Sequence, residues 1–482
     1  MAKPAPVTCL SALLCVATAL ELPAQLSSPQ PFAFTHVNIV DVEHGLVQHD
    51  RTLVVRGNRI AAAGSSRQTR RVPAGTRIVE ARGKYLIPGL WDMHAHGVFS
   101  ADLFVLHAAH GVTGIRHMGG SLDQAVAFRR MERAHTGEYP MRIRVGALSG
   151  PALDGFDQLP QFPGLTMIVT GPEDGGRAVD RLHEAGVDFV KIHTQMTRDT
   201  WLAIVKRAKE LSMPFAGHVP YAVSPLEASD AGQKSIEHLT GVAIACSSEE
   251  DAMRLDAAAV TPSAAGTVAE FEHAMSKRVL STFNAEKCAA LARRFAANHT
   301  WHTPTLSLWD PDRCCRRASE DPRAKYIPVA ILKWWESASV DTPMDELGLR
   351  RRMYRKRAEI VTLLHRSRVA LLAGTDLGLP WIYPGLSLHD ELASLVRAGL
   401  SPAEALRTAT LNPAVYWNRT RDFGTIAAGK LADLVLLDGD PLSDIGNTRR
   451  VNAVVLDGQL FERSTIDRLL DDVVRRAQPN RN

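Results

Sequence analysis

A lysine and five other residues of metal-ligand type close short apolar, β-prone runs in an order that suits the carboxyl ends of the strands of one barrel. They are His94 and His96 in PGLWDMHAHG, Lys191 in VDFVKIHTQ, His218 in FAGHVPY, His238 in SIEHLTG and Asp376 in LLAGTDLG. Strand ends of this kind are where parallel barrels build their sites. Between the runs lie helical stretches, DQAVAFRRMERAH, RAVDRLHEAGV, TWLAIVKRAKELS and SLHDELASLVRAGL. Strands alternating with helices of that length predict βα units and an α/β fold, a parallel (β/α)8 barrel over residues 87–417. Its eight strands are placed at the His94 segment, TGIRHM, MRIRVGAL, DFVKIH, PFAGHV, SIEHL, TWHTPTLSL and VALLAGTD.

The two ends of the chain read differently. From 32 to 86, short alternating segments broken by Gly and Asn predict a small β domain. A matching strand pair, ADLVLLDGD and RVNAVVLDGQLFE, follows Gly429, and residues 32–86 and 418–463 are expected to pair into one β-sandwich. Residues 309–366 are far longer than an ordinary connection and carry a Trp334-Trp335 pair and the basic run LRRRMYRKR. Long inserts of this kind form lids or substrate walls. The tail, 464–482, reads as a polar helix fraying into QPNRN.

With 482 residues, 45% of them hydrophobic, the chain can bury one large core and a smaller one. A net charge of +4, with no long basic cluster interleaved with aromatics, argues against a nucleic-acid partner and for a small-molecule substrate. Lys3, an apolar run from about Val7 to Leu20, and Pro23-Ala24 have the layout of a secretory signal over residues 1–24. That run is shorter than a spanning helix needs, so no membrane span is expected after its removal and the protein is expected to be exported, periplasmic or secreted. Homo-oligomerisation stays open. Removing the leader takes Cys9 and Cys15 and leaves Cys246, Cys288, Cys314 and Cys315. An oxidising compartment permits a disulfide, Cys246 with Cys288 among the pairings, though sequence leaves connectivity open.

Two histidines two apart on a strand point to one face, so His94 and His96 converge on one ion; the alternative is a pair of hydrogen-bonded core histidines. Lys191 sits in an apolar run where a free ammonium is costly to bury. It is either paired with a carboxylate or converted by carbon dioxide to a carbamate, whose two anionic oxygens can bridge two divalent ions. Imidazoles at His218 and His238 suit zinc, iron or manganese. Asp376 can bind a metal and act as general base, or merely cap a helix. Asp92 reads as a supporting strand-end group. His107, His110, His117, His193, His302 and His389 are assigned supporting or surface positions.

These motifs, with GVTGIRHMGG, SPAEALRTATLNPA and GTIAAGKLADLVLLDGDPL, resemble the amidohydrolase superfamily. The likeness is to its branch near imidazolonepropionase and Xaa-Pro dipeptidase-like enzymes, of the two-metal, carboxylated-lysine type. The resemblance implies two divalent ions, zinc by default with Mn2+, Co2+ or Fe2+ admitted, held by His94, His96, a carbamate on Lys191, His218, His238 and Asp376. It also implies a metal-bridging hydroxide attacking an amide or cyclic amide, in a dipeptide-like or N-acyl substrate, with Asp376 moving the proton. Tyr221, three residues after His218, looks like the tyrosine that some relatives use to hydrogen-bond the substrate oxygen. An aryl phosphotriester or carboxylic ester hydrolase, a single-metal deaminase-like enzyme and a metal-free binding protein are the alternatives. One departure stands out: Arg116-His117-Met118-Gly119-Gly120 where relatives often have an aspartate.

Overall fold

The computed structural model describes residues 30–67, 72–97, 100–134, 141, 143–157, 164–259, 265–315, 317–338 and 344–478. The expected leader, 1–24, and the last residues of the tail lie outside the described residues. The fold is mixed α/β with parallel-strand sheets. Leu90–Ala95, Val112–His117 and Arg144–Leu148 pair in parallel. Val190–Ile192, Phe215–Gly217, Ser235–Glu237 and Trp301–Thr303 form a second parallel run, flanked by Ala152–Asp154 and Thr166–Ile168. Single parallel bridges join Ser149 to Phe189, His302 to Leu371 and Leu377 to Ala95.

Two expected strands are shorter than their sequences suggested. TWHTPTLSL is extended only over Trp301–Thr303, because Pro304 has no N–H for the ladder and Thr305 turns left-handed (φ 47°) into a 3-10 helix, Leu306–Trp309. VALLAGTD forms no continuous strand, though its backbone bonds both neighbours: the Leu372 N–H donates to His302 O and Ala373 O accepts from the Met93 N–H, with bridges at Leu371 and, just past the run, Leu377. Its backbone passes so close to them that a Cβ on Gly374 would stand 2.6 Å from Thr303 Cγ2 and 2.7 Å from His94 Cβ.

The expected helices form at Leu122–Ala134, Pro172–Glu184, Arg198–Glu210 and Leu386–Arg397. The Thr197 side chain caps the third by accepting from the Thr200 N–H. Glu250–Ala258, Ala265–Thr282 and Ala285–Ala297 follow the His238 segment and had no counterpart in the sequence reading. A disulfide, Cys246 to Cys288 with Cα atoms 4.5 Å apart, ties the turn after His238 to the last of these.

The terminal segments do pair across the chain. Tyr85–Pro88 runs antiparallel to Leu434–Leu437, and the described strands make one continuous eight-stranded sheet rather than two separate ladders. Alternation sorts its side chains into two cores: Phe34, Leu53, Leu86, Leu434, Leu436 and Val455 on one face, Ile87, Val435, Leu437, Val454 and Leu456 on the other. Fully burying each such side chain stabilises by roughly 1.5–3 kcal/mol.

The 309–366 insert is anchored. Trp335 packs 5.5 Å from Trp381 and 5.3 Å from Tyr383, and the Arg323 guanidinium lies over the Tyr383 ring at 4.4 Å. The tail helix, Arg463–Ala477, is amphipathic rather than polar throughout: Ile466, Leu470, Val473 and Ala477 are buried as one stripe, and Arg476 hydrogen-bonds Asp102. Among the described residues, no helix is long and apolar enough to cross a membrane.

Candidate metal centre

His94 and His96, at the end of the Leu90–Ala95 strand, meet Asp376, and one ligand atom from each lies within 4.8 Å of the others. Asp376 Oδ1 stands 3.3 Å from His94 Nε2 and 3.2 Å from His96 Nε2, and its Oδ2 is 3.8 Å from His238 Nε2. Lys191 Nζ is 3.4 Å from His96 Nε2. The His238 ring lies 4.4 Å from that of His94 and 5.0 Å from that of His218. All six residues singled out from sequence therefore gather in one place.

The local backbone explains how. Asp376 (φ 62°) and His238 (φ 59°) are left-handed, a conformation that Asp and His tolerate better than most residues but still at a cost. In GTDLG the flanking glycines make room: Gly378 (φ 123°) would put a Cβ 3.1 Å from the His96 Cβ. Asp376 is consequently no helix cap. Beneath it, buried Asp92 accepts from the His94 and Thr375 N–H groups and the Thr375 hydroxyl, which joins the two segments that carry ligands.

Three of the four imidazoles are held by their second nitrogen. His96 Nδ1 is 3.0 Å from Gly119 O, His238 Nδ1 2.8 Å from Thr305 Oγ1, and His94 Nδ1 2.9 Å from Glu237 Oε2. Glu237 and its partner Arg116 are both fully buried. Sequence reasoning gave Glu237 no role and placed Arg116 only within the departing RHMGG segment.

Burial pushes the His96 imidazole down to about 4, with Lys191 adding to the effect, and the His238 imidazole down to about 3. Both are neutral and able to offer a lone pair. Burial also lowers the Lys191 ammonium to about 8, against the pull of Asp376 and Glu237. Burial alone would raise the Asp376 carboxyl, but His238 and His94 hold it well below the usual range. His94 Nε2 and His218 Nδ1 are buried without hydrogen-bond partners, an expensive arrangement that suits donors meant for a cation. Imidazole nitrogens with carboxylate oxygens are a donor set that zinc, manganese, cobalt or iron accepts, so the residues present fit a divalent ion.

The other histidines weighed in the sequence are largely withdrawn from solvent, His110 being half-buried. His107, His117, His302 and His389 are buried, and His193 lies against the site, its ring 4.1 Å from that of His218 and its Nδ1 2.7 Å from buried Asp154. The His117 ring is 6.4 Å from that of His96. Tyr221 is half-buried on the loop after His218, where its N–H donates to Thr194 O.

Known proteins share this architecture. The family described as "Amidohydrolase family" matches residues 85–461. Over 143 residues, 30% of this chain and 29% of that protein, the sequence is 32% identical to an imidazolonepropionase of Pyrobaculum arsenaticum. The chain spans 13% to 29% of the length of such curated relatives. Among solved structures, a bottromycin amidohydrolase superposes with a TM-score of 0.71 at 24% identity, covering 93% of this chain and 91% of that one. A Xaa-Pro dipeptidase with methionine bound in its active site gives 0.61 at 19% identity, covering 90% and 100%. At these identities the structures speak for the fold alone.

Proposed function

Since this chain belongs to the amidohydrolase family, we propose that it is a metal-dependent hydrolase of a C–N bond, an amide or cyclic amide in a dipeptide-like or N-acyl substrate. The observation that carries the reading is the convergence of His94, His96 and Asp376 on one point, with Lys191 and His238 beside it. His94, His96, Lys191, His218, His238 and Asp376 would hold two divalent ions, zinc by default. Such ions, when bound, polarise a carbonyl and lower the pKa of water.

The chain's own groups supply the rest. Asp376 takes a proton from the attacking water and delivers it to the nitrogen as the C–N bond breaks, so that the amine leaves neutral. Tyr221 hydrogen-bonds the substrate oxygen. Lys191, buried and easily deprotonated, adds its nitrogen lone pair to carbon dioxide and loses a proton, which yields a carbamate in place of a costly buried ammonium. The anchored 309–366 insert forms a wall of the site. The parallel ladders and the three bridges support a closed (β/α)8 barrel, and the two cores of the terminal sheet support a sheet that folds over itself as a sandwich. The disulfide agrees with an exported protein.

Elemental analysis of the purified enzyme and of Lys191→Ala, with hydrolysis assays on dipeptides, N-acyl amino acids and cyclic amides, tests this reading. About two ions per chain, falling toward one or none in the variant, is the expected result. One ion in both proteins would remove Lys191 from the ligand set, and none in either under metal-replete conditions would end the hydrolase reading.

A further inference from the structure

We propose that Glu237, anchored by Arg116, is a positioning residue that holds His94 by its Nδ1 and so aims Nε2 toward Asp376. The inference rests on the metal-centre reading above and deepens it. It starts from a contrast among the three imidazoles: His96 leans on a backbone carbonyl and His238 on a hydroxyl, but His94 leans on a carboxylate. Of the three acceptors, a carboxylate is the strongest and does most to orient the ring and strengthen the opposite nitrogen as a donor.

Arg116 is what holds that buried carboxylate in place. Its Nη2 donates to Glu237 Oε1 at 2.8 Å and Oε2 at 2.9 Å and reaches the Thr303 hydroxyl at 3.2 Å, while Nε donates to Met93 O and Nη1 to the Ser235 and Tyr416 hydroxyls. All five N–H groups of the guanidinium are thereby used. Both Glu237 oxygens are engaged by Arg116, and Oε2 lies 2.9 Å from His94 Nδ1, which fixes the ring with its Nε2 3.3 Å from Asp376 Oδ1.

Removing Glu237 alone would strand a buried guanidinium and could unfold the protein for reasons unconnected with His94. The test therefore uses Arg116→Met with Glu237→Met, which deletes both charges and keeps the volume in flexible apolar side chains. Metal-stripped wild type and double variant are titrated with Zn2+ in a calorimeter, and the thermal midpoints of the stripped forms are recorded. Zn2+ binding 10- to 100-fold weaker in the variant, at a similar midpoint, is expected. Wild-type affinity in a folded double variant overturns the inference and leaves the metal centre standing. A wild type that binds no Zn2+ overturns both. If the double variant does not fold, histidine-15N NMR of the Zn2+-loaded wild type decides: a His94 proton on Nδ1 with Nε2 on the metal supports the relay, and the reverse refutes it.

Discussion

The ligand cluster and the terminal sheet are both buried, yet they are buried by opposite means. The sheet hides Leu86, Leu434, Leu436 and Val455 against one another, and its ion pairs, Arg77–Glu462 and Lys84–Asp438 among them, lie near solvent where they contribute little. The cluster hides Asp92, Lys191, Glu237, His238 and Asp376, groups that resist leaving water, and sets His238 and Asp376 in left-handed backbone. One region lowers the free energy of the fold and the other costs it, as expected where a site is preorganised for a ligand the free chain lacks.

Asp376→Asn separates the two most sharply. Asparagine accepts the same left-handed backbone but cannot take a proton, so hydrolysis should fall roughly 10³-fold. The thermal midpoint of the metal-free protein should move by only a few degrees. A variant that keeps more than a tenth of the wild-type kcat would take Asp376 out of the chemistry. The reverse behaviour is expected of Leu434→Ala, 1% exposed at the centre of the sheet: a loss of about 3 kcal/mol in urea unfolding, with unchanged kcat in the protein that remains folded. A matching drop in kcat would mean that the sheet shapes the site after all.

The sequence disclosed the residues that gather at the site and hid what orients them, for a reason visible at Glu237. Alternation along Ser235–Glu237 puts Glu237 and His238 on opposite faces, and a strand continued in that pattern would send one of them away from the site. The left-handed turn at His238 cancels the alternation, and both side chains end beside His94. The HxH spacing was legible because it obeys the strand period. VALLAGTD misled for the opposite reason: its apolar run promises a strand, while Gly374 signals a backbone approach that only three-dimensional packing defines. The terminal pairing was legible from the matching strand patterns together with the family resemblance. The anchoring of the insert through Trp335 and Trp381, 46 positions apart in the numbering, had no local signal.

Buried polar groups away from the ligands test whether such a cost is peculiar to the site. Glu391, on the Leu386–Arg397 helix, is fully buried and accepts from the Ser307 N–H at 2.7 Å, and burial pushes its carboxyl up to about 7 from 4.5. The folded protein thus holds this proton more tightly than the unfolded chain does. The group's contribution is fully present below about pH 4.5 and is lost as pH rises through 7. Glu391→Gln, unable to ionise, should gain on wild type by a few kcal/mol between pH 5 and pH 8 in denaturant titrations. A difference that stays flat across that window would place the carboxylate in a better-solvated position than its burial indicates.

The smallest effect is expected at His302, and it sharpens the comparison most finely because this residue is a histidine among histidines. It stands on Trp301–Thr303, the same strand that places Thr303 against Arg116, but its ring turns to Phe295, 4.6 Å away, on the Ala285–Ala297 helix. Both ring nitrogens are buried without a hydrogen-bond partner, and burial pushes the imidazole down to about 3. His94 and His218 each have one such nitrogen at the centre, where a cation would relieve it; among the described residues, His302 joins no cluster of ligand-type groups that could do the same. His302→Leu should therefore raise stability by about 1 kcal/mol, the desolvation of an unpaired polar ring being exchanged for apolar contact, with kcat unaltered. Should the substitution instead destabilise, His302 would have a partner in solution, and the division between costly polar burial at the centre and apolar burial elsewhere would have to be redrawn along this strand.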